Sequence, residues 1–129
     1  MAKILIAEDE LDIRNLITFT LRFAGHEIVA TSNGAEALEK AIEMADQKDC
    51  PDLILMDVRM PRMTGYEACK RMKEDTRLVN IPIAFLSAKG QESEIQEGFA
   101  VGAVDYIIKP FATDQLTRKV QELIEQAGA

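Results

Sequence analysis

The stretch Asp52–Gly65, DLILMDVRMPRMTG, decides how the rest of the chain is read. Its opening, Asp52–Met56, is almost continuously apolar, as suits a strand covered on both faces. The run goes straight into a carboxylate, Asp57. Met60-Pro61 then breaks the chain, and Thr64 caps a helix expected from about Gly65 to Asp75. A buried strand, a loop and a helix form the repeating unit of a parallel sheet.

The same unit recurs on both sides. Upstream, Lys3–Ala7 (KILIA) reads as a buried strand. Leu11 to about Ala24 reads as a helix with Ile13, Leu16, Ile17, Leu21 and Ala24 on one face, ended by Gly25. His26–Thr31 (HEIVAT) is a second strand. After the turn Ser32-Asn33-Gly34, a helix runs through Ala37, Leu38, Ala41, Ile42 and Ala45. Downstream, Pro82–Leu86 (PIAFL) is the fourth strand. A weaker helix follows over Gln91–Val101, with Ile95 and Phe99 as its apolar points and Gly98 inside it. Val104–Ile108 (VDYII) is the fifth strand, and the last helix, about Thr113 to Gln126, turns Leu116, Val120, Leu123 and Ile124 to one side. Five units with short connections and right-handed crossovers predict an α/β fold: a flavodoxin-like (βα)5 doubly wound parallel sheet, strand order 2-1-3-4-5, in three α/β/α layers.

Composition narrows the function. With 129 residues, 47% hydrophobic and 29% charged, the chain fits one ordinary domain with its own core. It stops just after the fifth helix, so residues 1–129 are expected to form one domain with no output domain attached. The formal net charge of -7 argues against a nucleic-acid partner. Arg59, Arg62, Lys70, Arg71, Lys73 and Arg77 run against that trend, as a solvated helix face with its flanking loop or as a docking surface for an acidic protein. Cys50 and Cys69 have no CxxC spacing, and one histidine, His26, leaves too few ligands for zinc. Free thiols fit a cytoplasmic location. The opening MAKILIAEDE turns acidic too soon for a signal peptide, and no apolar run approaches the ~20 residues of a membrane span.

In open parallel sheets, ligands bind outside the carboxyl ends of the strands. Glu8 and Asp9 follow the first strand, Asp57 the third, Ser87 the fourth, and Lys109-Pro110 the fifth. Three carboxylates, a hydroxyl and an amine are thus expected at one sheet edge. Any one of them alone would pass as a solvated loop residue. The second strand leads only to Ser32, Asn33 and Gly34, which suits the outer strand of the order 2-1-3-4-5.

At this point the sequence resembles the receiver domain of two-component response regulators, in a chemotaxis-regulator-like form. The motifs are ILIAEDE at Ile4–Glu10, DLILMDVRMPRMTG at Asp52–Gly65, FLSA at Phe85–Ala88 and VDYIIKPF at Val104–Phe111. They span nearly the whole chain in the family's order. The resemblance implies that Asp57 is the phosphoacceptor and that Asp9, Glu8 (through water), Asp57 and the backbone carbonyl of Arg59 hold Mg2+, with Mn2+ able to substitute. It implies Lys109 as the family's lysine, Ser87 as the switch hydroxyl and Tyr106 as the switch aromatic. It implies a histidine kinase or histidine phosphotransfer protein as donor and an effector protein downstream. It implies no enzyme beyond the chain's own phosphorylation and dephosphorylation.

Elementary electrostatics agrees. Glu8, Asp9 and Asp57 with Lys109 sum to about -2, so carboxylate pKa values should rise, and one divalent cation would neutralise the site. Oxygen-only ligands suit Mg2+. Asp57 is expected to act as a nucleophile, forming an acyl phosphate, and an ionised carboxylate needs no general base. Ser87 is expected to move toward the new phosphoryl oxygens and Tyr106 to turn inward behind it. The Gln91–Val101 helix, the fifth strand and the last helix then change as the output surface. Arg59 and Lys89 are expected to cover the phosphoryl group and slow its hydrolysis. Met56, Met60, Met63 and Met72 read as packing residues, and His26 as ordinary structure.

Two rival classes fit less well. A phosphatase with an aspartyl nucleophile would usually carry a second acid two residues later, where this chain has Arg59. A degenerate interaction module would have lost Asp57, Asp9 or Lys109, and all three are present. The turn after the first strand has no glycines, which disfavours a nucleotide-binding loop.

Overall fold

The computed structural model describes residues 2–88 and 95–128. Five strands and five helices alternate: β1 Lys3–Ala7, α1 Leu11–Phe23, β2 Glu27–Thr31, α2 Gly34–Asp46, β3 Leu53–Asp57, α3 Gly65–Lys73, β4 Ile83–Ala88, α4 Ile95–Ala100, β5 Asp105–Lys109 and α5 Thr113–Gly128. The strands form one parallel sheet in the order β2-β1-β3-β4-β5. Fold class and strand order are therefore as the sequence predicts. The expected helix over 91–101 is described only from Ile95, and its first four residues lie outside the described residues.

Strand side chains alternate between two faces, and each face has its own core. On one side Ile4, Ile6, Leu53, Leu55, Leu86 and Ile107 pack with Ile17 and Leu21 of α1 and Leu116, Val120 and Leu123 of α5. On the other, Leu5, Ile54, Met56, Ile83 and Phe85 pack with Ala37 and Ala41 of α2 and Ala68, Cys69 and Met72 of α3. Small residues on α2 and α3 let those helices approach closely. The central strand β3 is buried along its whole length, which explains its unbroken apolar run.

The helix ends follow local chemistry. Asn33 Oδ1 accepts from the Glu36 amide at 2.8 Å, and Thr64 Oγ1 accepts from the Glu67 amide at 3.2 Å. Gly25 terminates α1 with a φ of 99°. Three side-chain expectations need correction. Leu16 of α1, Ala24 at its C-cap and Ile42 of α2 are exposed rather than core-facing. A helix resting on a sheet buries one narrow stripe, here Ile13, Ile17 and Leu21 on α1, and Leu16 lies about 100° round from it.

Candidate functional site

The sheet register brings the chemical residues to one level. Asp57 pairs with Leu86, Ser87 with Ile108, and Ala88 with Lys109. Asp57, Ser87 and Lys109 belong to their strands rather than following them. Pairing continues further than the apolar runs suggest, and the Val58 amide still donates to the Leu86 carbonyl at 3.2 Å. Glu8 and Asp9 leave β1 beside them, and the Glu8 amide is tied to the Thr31 carbonyl.

Lys109 is the centre of the cluster. Its Nζ lies 2.7 Å from Asp57 Oδ2 and 2.6 Å from Glu8 Oε1. Asp57 Oδ1 accepts from the Arg59 amide at 3.2 Å. Glu8 Oε2 accepts from the Glu10 amide, and its carbonyl accepts from Arg14 Nη1 at 2.9 Å. Glu8 is fully buried, Asp57 nearly so, and Asp9 is exposed. Burial pushes the Glu8 carboxyl up to about 7, against the pull of its hydrogen bond to Lys109. Burial pulls Lys109 down, but its hydrogen bonds to Asp57 and Glu8 outweigh that and leave the ammonium above its ordinary value.

One carboxylate oxygen from each of Glu8, Asp9 and Asp57 lies within 4.8 Å of the others. This donor set is all oxygen, acidic and open on the Asp9 side, which fits a hard divalent cation that retains water. Of Arg59, the contact to Asp57 is made by the backbone amide, and the residue is exposed. Lys89 lies outside the described residues.

Ser87 and Tyr106 sit on the face opposite α1 and α5. Phe85 pairs with Tyr106 and Ser87 with Ile108, so Ser87 stands one position beyond the Phe85–Tyr106 pair on the same face. Ser87 is 2% exposed and Tyr106 8%. The sequence leaves room for Tyr106 as a half-wet strand residue, but its hydroxyl is indoors, donating to the Tyr66 hydroxyl at 3.4 Å. Tyr66 carried no signal in the sequence, because its partner is 40 residues away. Gly65 was legible only as a helix start. Its role is close approach, since a Cβ there would overlap the Asp57 carbonyl.

Several other residues singled out in the sequence make contacts within the fold. Arg71 pairs with Glu67, and Arg77 with Asp75 and Asp46. Lys73 donates to the Val79 and Ile81 carbonyls. Met56, Met60 and Met72 are buried. His26 Nδ1 accepts from the Ala2 amide at 3.2 Å. Both cysteines are free, and burial raises the Cys69 thiol to about 11, so it is a packing residue. No described helix is long and apolar enough to cross a membrane.

The family model for the response regulator receiver domain matches residues 4–121. The phosphate regulon transcriptional regulatory protein PhoB of Pseudomonas aeruginosa is 39% identical over 125 residues, covering 97% of this chain and 52% of that protein. The alkaline phosphatase synthesis transcriptional regulatory protein PhoP of Bacillus subtilis is 34% identical, covering 97% of this chain and 49% of its own. The chain thus spans about half the length of these curated relatives. Among solved structures, the chemotaxis response regulator CheY4 of Vibrio cholerae superposes with a TM-score of 0.85 at 36% identity, covering 95% of this chain and 98% of that one. With the parallel sheet, the acidic edge and Lys109 at their expected places, the chain belongs to the response regulator receiver domain family.

Proposed function

We propose that this chain takes a phosphoryl group from a histidine kinase or histidine phosphotransfer protein onto Asp57, and that this modification controls a partner protein in the cytoplasm. Receiver domains are signalling phosphoacceptors rather than conventional enzymes, and members of the family bind Mg2+ at an acidic pocket. The observation that carries the reading here is Lys109 Nζ, 2.7 Å from the Asp57 oxygen that would attack.

Asp57 Oδ2 is the nucleophile. A bond forms between it and phosphorus while the donor's phosphorus–nitrogen bond breaks. The transition state is loose and spreads charge over three equatorial oxygens. The Lys109 ammonium is a point charge for one of them, and the Ser87 hydroxyl a donor to another. Glu8, Asp9, Asp57 and the Arg59 carbonyl would hold Mg2+, which supplies charge neutralisation for the third. Glu8 also keeps Lys109 aimed at Asp57, by its ion pair of 2.6 Å. The output surface is α4, β5 and α5: Tyr106 belongs to β5 and meets Phe99 of α4. Hydrolysis of the acyl phosphate resets the domain.

The test is intact-protein mass after incubation with acetyl phosphate, with and without Mg2+, beside Asp57→Asn. The expected result is a Mg2+-dependent gain of one phosphoryl group in the wild type alone. No gain, where a known receiver is modified, would leave an interaction module as the better reading.

A further inference from the structure

Lys73 ends α3, and both acceptors of its ammonium are neutral. Its Nζ donates to the Ile81 carbonyl at 2.6 Å and to the Val79 carbonyl at 2.9 Å. The stem runs along Gly102 of the α4–β5 turn, where a Cβ would lie 3.1 Å from Lys73 Cγ. The missing side chain of Gly102 leaves room for that stem. Half-buried, Lys73 forms one wall of a groove of about 640 Å³ with Val79, Asn80, Phe99, Val104 and Leu123. Among the described residues no carboxylate lines this groove, and Lys73 is the one charged side chain in it.

The other described lysines are placed differently. Lys3, Lys40, Lys109 and Lys119 each pair with at least one carboxylate. Lys48 and Lys70 are exposed to water. A carboxylate partner or free hydration favours the ammonium over the amine. Lys73 has no carboxylate and only partial hydration. Burial holds it below the ordinary lysine range, against a weaker opposing effect of the neighbouring Cys69. An ammonium has three hydrogens, and the two carbonyls use two of them. When the third proton leaves, both hydrogen bonds can stay, and the lone pair takes the position directed away from Val79 and Ile81.

We infer that Lys73 is an acyl-acceptor site, whose amine takes an acyl group from a small activated acyl compound, an acyl phosphate or an acyl thioester, entering this groove. This goes beyond the phosphoacceptor reading and does not depend on it. The Nζ lone pair attacks the acyl carbonyl carbon. The bond from that carbon to the phosphate oxygen or thioester sulfur breaks, and the phosphate or thiolate leaves with the electron pair. The nitrogen gives one proton to water, and an amide remains. That amide has a single hydrogen, so the Val79 or the Ile81 carbonyl loses its donor. Both carbonyls belong to the segment that leads into β4, and the stem crosses the turn into β5. Acylation therefore loosens the start of these two strands, at the end of the sheet opposite to Asp57, Ser87 and Lys109.

The test uses the wild-type protein in chelator at mildly alkaline pH, with acetyl phosphate in one arm and an acetyl thioester in the other. Digestion with a protease that does not cut at lysine yields peptides whose masses give the initial acetylation rate at each lysine. An acetyl and a phosphoryl group differ in mass, so the outcome at Lys73 is separate from that at Asp57. Lys73 is expected to react severalfold faster than Lys48 and Lys70 in at least one arm, and that arm identifies the donor. In urea the three lysines are expected to react alike, because the groove and its carbonyls are gone. In the acetylated protein, amide hydrogen exchange over residues 79–81 is expected to rise severalfold. A Lys73 rate no higher than those of Lys48 and Lys70 in both arms, or an advantage that survives in urea, would overturn the site. Unchanged exchange over residues 79–81 after acetylation would overturn the loosening.

Discussion

Lys109 Nζ bridges Asp57 Oδ2 and Glu8 Oε1 at 2.7 and 2.6 Å, so one ammonium is shared by two buried carboxylates, one in β3 and one just after β1. Its position makes Lys109 both a structural ion-pair partner and the charge nearest the proposed nucleophile. Lys109→Met should slow phosphoryl uptake from acetyl phosphate by about 10²–10³-fold, the usual effect of losing one preorganised charge. Lys109→Arg should restore little, because a planar fork cannot replace a point charge between two oxygens. The rate of mass gain checks both variants.

Glu8 predicts an unusual pH profile for the protein in chelator. Its carboxyl lies at about 7 in the folded chain against an ordinary 4.5. A carboxyl raised by folding favours the folded state while protonated. Its contribution is present below about 4.5 and is lost as pH rises through about 7. Urea midpoints should fall between pH 5.5 and pH 8.5 by the equivalent of about 2 kcal/mol, and Glu8→Gln should flatten the fall. A midpoint that rises over this window would contradict the assignment.

Gly65 carries α3 up to the backbone of Asp57, and any side chain there overlaps the Asp57 carbonyl. Gly65→Ala should therefore destabilise by about 1–3 kcal/mol, the usual range for overpacking. It should also slow phosphoryl uptake by displacing the acceptor. Thermal melts and the mass assay on one preparation test the two effects together.

Arg62 adopts a φ of 70° in the loop after β3, a left-handed conformation that disfavours a β-carbon. Arg62→Gly should raise stability by up to about 1 kcal/mol, with the larger unfolded-state entropy of glycine taking back part of the gain. A denaturant midpoint no higher than that of the wild type would show that the loop supports arginine by other contacts.

Arg59 and Lys89 stand two positions after the proposed phosphoacceptor Asp57 and the proposed switch serine Ser87 in sequence. If they shield the acyl phosphate from water, Arg59→Ala and Lys89→Ala should shorten its lifetime severalfold. The decay of the phosphorylated mass after removal of donor measures this, and slower decay in the variants would reverse the assignment.

The fold was legible because its causes are local. The unbroken apolar run of β3, the Thr64 cap and the Gly25 stop each act within a few residues, and five such units permit few arrangements. The acidic edge was legible for the same reason, since Glu8, Asp9, Asp57, Ser87 and Lys109 each stand at a strand end. Three things were not. Leu16 and Ile42 looked like core residues, but only the contact between helix and sheet decides which apolar residues the buried stripe includes. Glu8 could be named as an acid, yet its displacement to about 7 needs the burial that only the folded chain imposes on it. The Tyr66–Tyr106 pair depends on α3 and β5 meeting. The sequence by itself determined the elements, their order and the chemical groups at the sheet edge, because propensity and period are properties of neighbours in the chain. Only the tertiary structure decided which of those groups share a proton, a charge or a cavity, because those energies depend on distances between residues far apart in sequence.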